Sequence, residues 1–110
     1  MIEKTISEIE AKVRATDSVG DQHKRELLEL LGKLKSEVGT LAKTHGEQAD
    51  SIANFAKLSA LEATRAEPNP QLRDLSNQGL LSSVEGFEKS HPKLVQVVNS
   101  ISSTLANLGI

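Results

Sequence analysis

The chain has 110 residues, 13 basic and 15 acidic side chains and a net charge of −2, which leaves room for one domain over residues 1–110, burying roughly two-thirds of its unfolded surface. Acids and bases are interspersed, with no basic stripe for phosphates and no Trp or Tyr for base stacking, so nucleic acid is excluded as a partner. Cysteine is absent, which removes disulfides, thiolate metal sites and cysteine nucleophiles and suits a cytoplasmic protein.

The start, Met1-Ile2-Glu3-Lys4, lacks the basic-then-apolar pattern of a signal peptide. No apolar run approaches the ~20 residues of a membrane span. The cytoplasm is therefore the expected compartment. Phe55 and Phe87 are the only aromatics, so Leu, Ile, Val and Ala must fill the core, as suits interdigitating helices.

Ile2, Ile6, Ile9 and Val13 follow one another at steps of four, three and four, which predicts a short amphipathic helix. It ends near Thr16, where Asp17, Ser18 and Gly20 supply turn chemistry. Ser18 or Asp21 is the expected cap of the next helix. There Leu27, Leu31, Leu34, Val38 and Leu41 form a seam that Leu28 and Leu30 widen. The register runs on through His45 and Gln48 to Ile52 and Phe55, which places His45 on the seam.

Two continuations follow. Thr44 with Glu47 fits a capping box, and Gly46 costs roughly 1 kcal/mol inside a helix, which favours a break. The unbroken spacing favours one long central helix from about Asp21 to Ala66, a rod of about 70 Å. Continuity is the preferred reading, and such a rod calls for a second subunit. Ala49, Ala53, Ala56, Ala60 and Ala63 lie near one face with Ile52, as in a helix packed face-on against another.

Glu67-Pro68-Asn69-Pro70 ends that segment, and Asn69-Pro70 starts a further helix as cap and first residue. Its apolar members are Leu72, Leu75, Leu80, Leu81, Val84 and Phe87. The last 17 residues, 94–110, carry no charge. Ser90 is the expected cap of a terminal helix with Pro92 in its first turn, a seam of Leu94, Val98, Ile101, Leu105 and Leu108, and Gly109 as its C-terminal stop. A strand would explain the β-branched residues here, but it would have no partner strand in the chain.

The fold expected is all-α: an antiparallel bundle of four or five helices, completed by self-association. The seam residues Leu27, Leu31, Leu34, Val38, Leu41, Phe87, Leu94, Val98, Ile101, Leu105 and Leu108 are the expected helix-packing or self-association surface. Ser90, His91 and Pro92 form a structural corner. His23, His45 and His91 stand apart at spacings unlike a metal site. There is no phosphate loop, nucleophile elbow or HExxH. No enzyme activity, metal or cofactor is expected. The expected partner is a second copy, as a dimer, or another protein. An alternative places the uncharged helix 94–108 on a membrane surface, its Ser/Thr-rich face replacing the usual cationic one.

The run Phe87-Glu88-x-Ser90-His91-Pro92-x-Leu94 and the ending Leu105-x-x-Leu108-Gly109-Ile110 resemble the small bacterial proteins grouped as domain of unknown function 4404. The resemblance covers roughly residues 2–41 and 80–110 and presents the Ala-rich middle as an extension. It implies a helical fold and bacterial origin and brings no catalytic residues.

Overall fold

The computed structural model describes residues 2–108, and the expected stop at Gly109 lies outside them. Five helices follow in order: α1 (Ile2–Ala15), α2 (Asp21–Ala42), α3 (Gly46–Ala63), α4 (Pro70–Ser83) and α5 (Pro92–Leu108). No strand occurs among the described residues.

The central rod does not form. α2 ends at Ala42, and His45 takes φ −135 and ψ 63 before α3 begins at Gly46. The longest dimension is 38 Å and the radius of gyration 12.9 Å, against about 13 Å for a single compact domain of this length. The physical reason is the alanine face. In a rod it would lie in water, whereas folding back buries Ala49, Ile52, Ala53, Ala56 and Ala60. The capping box does not form either. The Thr44 hydroxyl donates to the Leu41 carbonyl and meets His45 Nδ1, and α3 has no side-chain cap. His45, expected on the seam, is exposed at the turn.

Cross-links between helices give their directions. Gly39 lies beside the Glu3 carboxylate, Lys35 pairs with Glu10 at 2.7 Å, and Lys24 donates to the Arg14 carbonyl, so α1 and α2 are antiparallel. Lys57 pairs with Glu8 at 2.9 Å, and the Ser18 hydroxyl donates to the Thr64 carbonyl, so α3 runs alongside α1 in the same direction. The hydrogen bond and charge of Lys57 hold the Glu8 carboxyl below its ordinary value of 4.5. Ser18 is thus a tie between two turns rather than a cap; the α2 cap is Gly20, with no side-chain bond. Val19 in the same turn is buried.

α3 packs against each of the other four helices. Small residues permit that central position, because alanine side chains let several neighbours approach the backbone closely. The leucine seam of α2 and the uncharged α5 meet around it. Leu27, Leu31, Leu34, Val38 and Leu41 are buried, as are Leu94, Val98, Ile101 and Leu105, all in one cluster with Ile6, Ile9 and Val13. The seams that suggested a second subunit are therefore covered within the chain.

Candidate functional site

Two features stand out once the core is filled. The first is the corner between α4 and α5. α4 starts as expected, with Asn69 Oδ1 accepting from the Leu72 amide at 3.2 Å and Pro70 in the first turn. It ends at Ser83, so Phe87 lies beyond it in the turn. Gly86 adopts φ 95, a left-handed conformation that disfavours any side chain, and its amide donates to the Glu88 carboxylate at 3.0 Å. The chain then turns into α5.

The carbonyl of His91 accepts from the Val95 amide at 3.3 Å, directly before Pro92 at the first helical position. This makes His91, rather than Ser90, the cap of α5. The Ser90 hydroxyl instead lies 3.0 Å from His91 Nδ1. Across the bundle His45 meets the same corner. Its ring centroid is 5.5 Å from Phe87 and 6.4 Å from His91, while Phe87 and His91 are 5.7 Å apart, all edge to face. Phe87 therefore pins the α2–α3 turn to the start of α5. Among the described residues no third metal-ligating side chain joins the two imidazoles. Both histidines also stand at helix N-termini, whose dipoles disfavour a cation.

The second feature is the outer face of α3 and α4. Phe55 and Leu58 on α3 are 37% and 42% exposed, and Leu72 and Leu75 on α4 are 42% and 55% exposed. Together with Glu62 and Ser76 they line a groove of about 230 Å³. The Phe55 ring crosses α4 at Gly79, where an added Cβ would sit 2.4 Å from the ring, so glycine is what lets the two helices close there. Single exposed leucines are ordinary; here four large apolar side chains stand around one groove. Glu62 is 4% exposed at its side.

The expected surface residues lie elsewhere. Of the eleven seam positions, nine are buried in the core, and Phe87 and Leu108 are partly buried against it. They bring α2 and α5 together. Ser90, His91 and Pro92 make the corner. What the sequence reading passed over is the groove, although α3 carries a signal for it. Phe55, Leu58 and Glu62 follow at steps of three and four, on the side away from the alanines.

The class defined by these features is an all-α bundle of five helices, with an aromatic corner joining two turns and an apolar face left open on its central hairpin. A family model described as domain of unknown function (DUF4404) matches residues 27–110, and the chain belongs to that family. The matched span runs through the Ala-rich middle and leaves α1 before its start. No curated protein and no solved structure matches the chain. Among the described residues no helix is long and apolar enough to cross a membrane.

Proposed function

We propose that this protein is a non-enzymatic helical scaffold of the cytoplasm that works by protein–protein contact and self-associates as a dimer. The observation that supports this reading is the open groove between α3 and α4, walled by Phe55, Leu58, Leu72 and Leu75. Covering that face would remove apolar area from water at about 25 cal/mol per Å². The leucine seams serve folding in this reading, and the contact surface is the outer face of the central hairpin.

Sedimentation velocity of the full chain over a wide concentration range tests it. The wild type should approach twice the 11.8 kDa chain mass, and Leu75→Glu should hold it at the monomer mass. A wild type that stays monomeric at high concentration refutes self-association. The reading in which α5 lies on a membrane surface requires Leu94, Val98, Ile101 and Leu105 to leave the core they fill, and is the weaker for it. Flotation of the full chain with lipid vesicles would have to succeed for that reading to gain ground.

A further inference from the structure

The helices are not anchored equally. Among the described residues α4 packs only against α3 and α5. α1 also touches only two helices, but it sets Ile6, Ile9 and Val13 in the core and adds the Lys35–Glu10 and Lys57–Glu8 pairs. α4 sets one large side chain there, Leu80, followed by Val84 at its C-terminal cap, while Leu72, Leu75 and Leu81 are exposed. The polar groups beneath α4 are poorly served. On α3, Phe55, Ser59 and Glu62 follow at steps of four and three, which makes them one stripe of the helix. The Phe55 ring meets α4 at Gly79, and Glu62 shares the groove with Leu72 and Ser76, so Ser59 between them faces α4. Ser59 Oγ is buried without a hydrogen-bond partner, and so is Asn77 Oδ1, although Asn77 Nδ2 donates to the Ser102 carbonyl of α5 at 3.1 Å. A buried polar atom without a partner regains water when the surfaces part, so each one lowers the cost of opening.

We infer that α4 is a detachable strap, which lifts from α3 and α5 while the other four helices stay folded and so uncovers the stripe Phe55, Ser59 and Glu62. The ends of the helix permit the movement. Residues 65–69 before it are exposed, and after it Gly86 turns with φ 95. Beyond that turn Phe87 is held edge to face by His45 and His91, which fixes the far end of the strap. The four helices left behind remain joined without α4, through α1–α2, α1–α3, α2–α3, α2–α5 and α3–α5 packing. Local opening of this kind belongs to elements that few buried apolar contacts hold to the rest. The strap requires no second copy, so it stands or falls apart from the dimer proposed above.

Native-state hydrogen exchange on the full chain tests the strap. After correction for intrinsic rates, the amides of Ser76 to Leu80 should exchange at least about tenfold faster than those of Leu34, Val38 and Val98. Equal protection at all these positions would mean that α4 opens only when the whole chain unfolds, and overturns the inference. Side-chain access gives a second measurement. The chain has no cysteine, so Ser59→Cys places a lone thiol beneath α4. Its rate of labelling by an excess of thiol reagent should be nearly independent of urea at low concentration, because lifting one helix exposes little surface. A labelling rate that rises with urea as steeply as global unfolding does would refute the uncovering of the stripe.

Discussion

The α2–α5 pair and the α3–α4 pair use apolar residues in opposite ways. α2 and α5 put their large side chains inside: Leu34, Val38, Leu41, Leu94 and Val98 are completely buried. α3 puts its small side chains inside and leaves Phe55 and Leu58 on the surface, and α4 likewise leaves Leu72 and Leu75 out while burying Ser76 and Leu80. The difference follows from position. A helix at the rim of a bundle fills space with leucine; a helix touched by four others is lined mostly with alanine around the buried Ile52, and Phe55 and Leu58 go to the side left open. Hydrophobicity alone therefore does not say which face is core. Size does, because close approach of several backbones is possible only over small side chains.

This contrast can be broken most severely from within. Val98→Asp or Ile101→Asp places a charge where wild type is fully buried and should cost on the order of 4 kcal/mol, enough to unfold much of the chain. Loss of helical circular dichroism at 25 °C would report it, and a folded variant of unchanged stability would show that α5 does not organise the core. Ala53→Leu tests the opposite rule. Ala53 is 2% exposed on the central helix, so this more hydrophobic residue should destabilise by about 1–3 kcal/mol in urea titration through overpacking.

Gly86→Ala should cost about 1 kcal/mol, because only Gly86 has a positive φ among the described residues. Its thermal midpoint should fall while the far-ultraviolet spectrum at low temperature stays the same. On the outer face the balance reverses. Leu75→Ser should move stability by no more than about 0.5 kcal/mol, because the side chain is already 55% exposed, yet it should weaken dimerisation measurably. Equal effects on folding and assembly would erase the distinction between the two regions.

The smallest effect concerns the tie between α1 and α3. Bonding to Lys57 depresses the Glu8 carboxyl below its ordinary 4.5, so its contribution is present above that value and is lost as pH falls through the depressed one. Both side chains are about half exposed, and salt should screen the pair. The melting temperatures of wild type and Glu8→Gln should differ slightly at neutral pH and low salt, and converge on acidification below 4.5.

Local chemistry determined much of this protein from the sequence by itself. The stripe Ile6, Ile9, Val13, the seam from Leu27 to Leu41, the Asn69-Pro70 start and the seam from Leu94 to Leu105 each depend on residues within a few turns of one another. The corner was legible for the same reason, except that the cap fell on His91 instead of Ser90. The break at His45 was only half legible: Gly46 signalled it, but a helical register can continue numerically across a turn, from Leu41 to Ile52, while the chain reverses direction. Nor could periodicity tell that Phe55 would face outward and Ala56 inward, since they follow Ile52 at helical steps of three and four. Tertiary structure decided these points. Burying the alanine face against four helices needs the hairpin, and the hairpin leaves the groove with Glu62 at its side. It also brings His45, Phe87 and His91 together from turns 42 residues apart or more, a meeting that no local pattern encodes.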